Sequence, residues 1–93
     1  MKVLIDKSAK RALKKITSAS KQLITAKIDS FEKAENLTQL RFEKMSGKKD
    51  RYKVRVGNYR IVFIKASDKE IRITAIANRK DIYNQIFGIT FSL

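Results

Sequence analysis

Ninety-three residues suffice for one domain with a small core, so residues 1–93 are read as a single unit. Twenty-two Lys and Arg against nine Asp and Glu leave a net charge of +13, an excess that points to a polyanionic partner: nucleic acid first, an acidic protein second, an anionic membrane third. With neither Cys nor His in the chain, disulfides, Cys-based zinc sites and Ser/His or Cys/His nucleophile pairs are excluded, and any chemistry falls to Lys, Arg, Tyr and carboxylates.

In chain order, the opening MKVLI is too short an apolar run for a signal peptide, and no run approaches the roughly 20 residues of a membrane span. A cytoplasmic protein without a membrane partner is expected. Residues 2–5 read as a short strand. Ser8 is a candidate N-cap, after which Ala9, Ala12, Leu13 and Ile16 fall at i, i+3, i+4 and i+7 and set one apolar stripe on a basic helix. A second helix is predicted from Ser18 or Ser20, with Ile24, Ile28 and Phe31 facing inward, fading at 34–36. Leu37, Leu40 and Phe42 pin the connection that follows. MSGKKD at 45–50 is a turn-rich loop, and beyond it the hydrophobic period changes from 3.6 to 2.

Strand 51–56, the pair Gly57-Asn58 and strand 59–65 form a predicted hairpin with a two-residue loop. ASDK at 66–69 makes the next turn, strand 70–77 follows, and RKDIYNQIF at 79–87 reads as a short terminal helix before the tail GITFSL.

The two-residue loop fixes a register that opposes Val56 to Tyr59, Arg55 to Arg60, Val54 to Ile61 and Lys53 to Val62. Tyr52, Val54, Val56, Tyr59, Ile61 and Phe63 then share the face that meets the helices, while Arg51, Lys53, Arg55 and Arg60 share the other. Arginines directly opposed at about 5 Å between Cβ atoms repel, so this pair does not serve folding. It is either a solvated basic strand face with splayed arginines or a site where a phosphate sits between two guanidinium forks. Lys44, Lys48, Lys49, Arg51, Lys53, Arg55 and Arg60 fall within seventeen residues with only Asp50 against them, and that concentration favours the second reading. In ANRKDIY at 77–83, Arg79 lies just past the last strand and Tyr83 one helical turn later. On spacing alone, Tyr83 is as reasonable a core anchor as a functional residue.

This order of elements, with the hairpin YKVRVGNYRIVF and the ending ANRKDIY, resembles the RelE/ParE superfamily of type II toxins over nearly the whole chain. Its most specific portion is VGNYRIVF followed about sixteen residues later by Arg-x-x-x-Tyr. The resemblance implies an α+β fold: a small twisted antiparallel β-sheet, two N-terminal helices packed on one face and a short C-terminal helix, in the order βααβββ(α). It also implies a cognate acidic antitoxin as partner and a toxin–antitoxin heterotetramer as a candidate assembly.

Two activities exist in that superfamily. RelE-like members are endoribonucleases that cut mRNA, commonly in the ribosomal A site, while ParE-like members poison DNA gyrase and cut no RNA. The ending Asn-Arg-Lys-Asp-Ile-Tyr looks more like the RelE branch, which implies mRNA and the ribosome as partners. A gyrase poison and an inactive nucleic-acid-binding relative are the alternatives.

Carried over by position, Lys53 and Arg55 match the two basic positions of the RelE strand, Arg60 the arginine after the hairpin tyrosine, and Arg79 and Tyr83 the C-terminal arginine and tyrosine. Lys44, Lys48, Lys49 and Arg51 would attract RNA phosphates. Asn78 stands where many relatives carry His. Such enzymes use the RNA 2′-OH as nucleophile on the adjacent phosphorus, giving a 2′,3′-cyclic phosphate and a 5′-OH without metal or cofactor. Arginine does not give up its proton usefully, so Lys53 is the matched residue able to act as base. A free lysine titrates near 10.4, and poising it near neutrality takes a depression of about three pH units, roughly 4 kcal/mol. Arg51, Arg55 and Arg60 supply like charge of the right sign. Arg55 and Arg60 would hold the phosphorane as its charge grows, Arg79 would add electrostatic stabilisation, and Tyr83 could stack on or orient the nucleotide.

Overall fold

The computed structural model describes residues 1–45 and 50–78. The expected C-terminal helix with Arg79 and Tyr83, the apolar tail, and loop residues Lys48 and Lys49 lie outside the described residues. Within them run β1 (Lys2–Ile5), α1 (Lys7–Lys14), α2 (Ser18–Lys33), a 3₁₀ turn (Leu37–Gln39), β2 (Glu43–Lys44), β3 (Tyr52–Val56), β4 (Tyr59–Ser67) and β5 (Glu70–Asn78). The strands form one sheet in the order β1-β5-β4-β3-β2, and the α+β class expected from the sequence is the one observed. No helix among the described residues is long and apolar enough to cross a membrane.

The sheet is mixed rather than wholly antiparallel. β2 to β5 pair antiparallel, but β1 lies parallel to β5, with Val3 opposite Ile71 and Ile5 opposite Ile73. Parallel neighbours need a long crossover, and here two helices and three strands separate β1 from β5. Periodicity within a strand carries no record of the direction of a partner so distant in sequence.

At the start of α1 the cap position is Asp6, not Ser8, and its side chain does not cap the helix. It accepts instead from Arg72 Nε on β5 at 2.6 Å. That hydrogen bond, and then the carboxylate charge, raise the Arg72 pKa above its ordinary value. Ser8 falls inside the first turn, where its hydroxyl donates to the Thr74 carbonyl at 3.4 Å. α2 begins at Ser18 and buries Ile24, Ile28 and Phe31 as its spacing predicts.

The main core lies between the helices and one sheet face, joining Ala9, Ile24, Ile28, Phe31 and Leu37 to Val54, Val56, Ile61, Phe63, Ile71, Ile73 and Ile76. Phe63 is its aromatic centre, with ring centroids 5.7 Å from Phe42, 5.8 Å from Tyr52 and 6.4 Å from Phe31, spacings at which such pairs add to simple burial. A strict period of 2 could not put Ile71, Ile73 and Ile76 on one face. A register shift resolves this: Val62 opposes Ala75 while Phe63 opposes Ile73, leaving Thr74 as an extra residue in β5. This bulge returns Ile76 to the core side.

The hairpin register is the predicted one, pairing Val56 with Tyr59, Arg55 with Arg60, Val54 with Ile61 and Lys53 with Val62. Gly57 takes φ 59°, the left-handed conformation that a primed two-residue turn requires of its first residue. The reverse sheet face departs from the expectation of an open basic surface. Met45, Val62, Ala75 and Ala77 form a second buried cluster there, and Arg60 is buried with 8% exposure.

Candidate functional site

β2 is only two residues long and covers β3 at Tyr52 and Lys53 alone. Among the described residues, the outer edge of β3 therefore loses its neighbour from Val54 onward. The chain entering β2 and the middle of α2 border this open edge, and together they shape a cleft of about 320 Å³ lined by Lys27, Arg41, Phe42, Glu43, Lys53, Val54 and Arg55. Four cations from three parts of the chain thus meet around one acid. Glu43 Oε2 lies 3.9 Å from Lys53 Nζ, the Lys53 side chain being 29% exposed and that of Glu43 71%. An exposed contact at that distance is a weak tether that an incoming phosphate can replace.

Lys53 and Arg55 both line this shallow recess. Lys44 is exposed on β2 and Arg51 is half-buried where the loop re-enters the sheet, its carbonyl accepting from the Met45 N–H at 2.9 Å. Asp50 in that turn adopts φ 65°, a conformation Asp tolerates better than most residues. Arg60 stands directly across from Arg55 in the register, but it does not line the cleft. Its Nη1 donates to the Tyr59 carbonyl at 3.1 Å, and its side chain is a buried, held charge. Arg60 is therefore not the splayed, water-exposed arginine of a solvated basic face, because alternation gives the face of a residue and not what covers that face.

Lys27, Arg41 and Glu43 were not predicted for the site. Arg41 and Glu43 flank Phe42 in the alternation RFEK, a period-2 signal for a short edge strand, and Lys27 adjoins the buried Ile28 on α2. Those signals were present, but nothing in the sequence brings α2 and β3 side by side. Among the described residues no group of three or more His, Cys, Asp or Glu gathers that could hold a metal ion.

The sequence pattern of the family described as the ParE toxin of the type II toxin-antitoxin system parDE matches residues 3–83. No curated protein matches the chain in sequence. Among solved structures, the chain superposes on one from the RelB–RelE antitoxin–toxin complex of Methanococcus jannaschii with a TM-score of 0.73 and 27% identity, covering 89% of this chain and 98% of that one. The isolated E. coli RelE toxin is similar in fold at a TM-score of 0.63 and 16% identity, over 94% and 95% of the two chains. A chain of the RelE–RelB complex of Pyrococcus horikoshii OT3 gives 0.58 and 24%, over 84% and 93%.

Proposed function

This chain is a type II toxin–antitoxin toxin, belonging to the ParE-toxin family within the RelE/ParE superfamily, and from that membership we propose that it acts as a metal-independent endoribonuclease on translated mRNA. The observation that carries the proposal is the pairing of Lys53 with Arg55 in a recess edged by Lys27 and Arg41. A gyrase-binding surface has no need of a lysine and an arginine converging on one small recess, whereas internal transesterification of RNA needs a base beside a phosphate fork.

In this reading, the scissile phosphate enters the recess and displaces Glu43 from Lys53. The Lys53 amine takes the proton of the 2′-OH, the 2′-oxygen bonds to phosphorus, and the bond from phosphorus to the 5′-oxygen breaks. Products are a 2′,3′-cyclic phosphate and a 5′-OH whose proton comes from solvent. Arg55 donates to the non-bridging oxygens as their charge grows, with Lys27 and Arg41 holding the flanking phosphates. Arg60, directly across the strand pair from Arg55, contributes by its fixed charge. Arg79 and Tyr83 are assigned to the phosphorane and the nucleotide base on resemblance, and Lys44, Lys48, Lys49 and Arg51 to attraction of the RNA backbone. The ribosome presents the message, and a cognate acidic antitoxin covers the same recess in a resting heterotetramer in the cytoplasm, its carboxylates standing where phosphates would.

The ParE description of the matching family favours a second reading, gyrase poisoning without RNA cleavage. A primer-extension map of a translated message after brief induction separates the two. Cuts within codons are expected, whereas intact RNA with gyrase-dependent DNA breaks would overturn the ribonuclease reading.

A further inference from the structure

The recess on β3 does not account for the charge on the other margin of the sheet. Between Lys7 and Lys15 the chain carries Lys7, Lys10, Arg11, Lys14 and Lys15 with no acid among them, and all five are exposed. Lys7 and Arg11, Lys10 and Lys14, and Arg11 and Lys15 are each spaced i to i+4, where like charges destabilise a helix. α1 is anchored by little more than Ala9, which is fully buried, and the half-buried Ala12 and Leu13. Arg11 and Lys14 in the last turn suit the helix dipole, but five cations with no acid among them exceed what that end of so small a helix calls for.

β1 pairs with β5 only as far as Ile73, so α1 lies against β5 just beyond the end of β1. The junction leaves a cleft of about 340 Å³ lined by Ser8, Arg11, Ala12, Lys15, Thr74 and Ala75. Two cations and two hydroxyls thus meet over a small-residue floor. β4 lies between β5 and β3, so this cleft and the β3 recess are about 10 Å apart in strand spacing alone and open at different margins.

We infer that α1 and its cleft form a second RNA-docking surface, one that grips the phosphate backbone of a duplex segment while the β3 recess handles the cleavable strand. Charge selects a polyanion, and the absence of anchors selects its kind. Protein interfaces are centred on aromatic or large apolar side chains and are depleted in Lys. The exposed large apolar residues among those described, Leu4 and Leu23, belong to β1 and α2. Single-stranded RNA is held by stacking on aromatic rings, and α1 carries no aromatic residue. A row of cations along one face, Lys7 to Lys14 rising about 10.5 Å, fits successive phosphates on a regular backbone. The choice of RNA over DNA rests on the ribonuclease reading, while the duplex-phosphate chemistry does not.

The test is binding of the full-length protein to a fluorescent RNA duplex over a salt series, comparing the wild type with the triple variant Lys10→Gln, Arg11→Gln, Lys14→Gln. Glutamine keeps helix propensity, and circular dichroism checks the fold. The triple variant should bind the duplex at least tenfold more weakly near 0.1 M salt, with the slope of log K against log salt shallower by about 0.9 per lost phosphate contact. Its single-turnover cleavage rate at saturating message should be unchanged. Unaltered duplex affinity and slope overturn the inference. So does a loss seen with polyglutamate, or with a DNA duplex of equal length, but not with the RNA duplex. The duplex assay requires no turnover, so a chain that cuts no RNA would sink the ribonuclease reading and still report on α1.

Discussion

Arg55→Gln should make the protein slightly more stable and far less active, opposite signs that only a functional charge produces. Arg55 and Arg60 are directly opposed in the β3–β4 register. Arg55 is exposed, so most of the field between the two charges runs through water. Two unit charges about 6 Å apart in water repel by roughly 0.7 kcal/mol, within the range of about 0.2–1 kcal/mol measured for cross-strand pairs. The substitution removes no core atoms and fills no cavity, so the expected gain in unfolding free energy is about 0.5 kcal/mol. It should be read from urea unfolding near 50 mM salt and should largely disappear near 1 M, where the screening length falls to about 3 Å. Single-turnover cleavage of bound message should fall by on the order of a hundredfold, the scale for losing one donor to a developing oxyanion. A gain that persists near 1 M salt would refute the charge-pair reasoning. A stable variant that cleaves at the wild-type rate would remove Arg55 from the mechanism.

Gly57→Ala should cost about 1–2 kcal/mol of stability from backbone conformation alone, since a Cβ there meets nothing within 4 Å and φ is +59°; a neutral result in urea unfolding would mean that the hairpin turn can relax. Glu43→Gln removes the one acid of the β3 recess and should tighten RNA binding by up to about 1 kcal/mol at low salt, as measured by fluorescence anisotropy, while leaving the cleavage rate on bound RNA intact. A falling rate would instead assign the proton transfer to Glu43 rather than Lys53.

The sequence determined by itself whatever is local and periodic. The α2 stripe of Ile24, Ile28 and Phe31 and the alternation through VRVGNYRIVF depend on neighbouring residues, so the helix, the hairpin, its register and the pairing of Arg55 with Arg60 were all legible, as was the adjacency of Lys53 and Arg55. Tertiary structure alone decided what covers each face and which distant segments meet. β1 runs parallel to β5 because of a crossover that no short window contains. Asp6 is drawn to Arg72, sixty-six positions away, leaving Ser8 to bond across to β5 instead of capping α1. The bulge at Thr74 re-aims Ile76, and on the reverse face Met45, Val62, Ala75 and Ala77 form a second buried cluster while Arg60 is itself buried. Lys27 and Arg41 reach the recess only because β2 stops after two residues and exposes the edge of β3. Chain order records how side chains alternate within a segment, whereas burial and juxtaposition are properties of the packed whole.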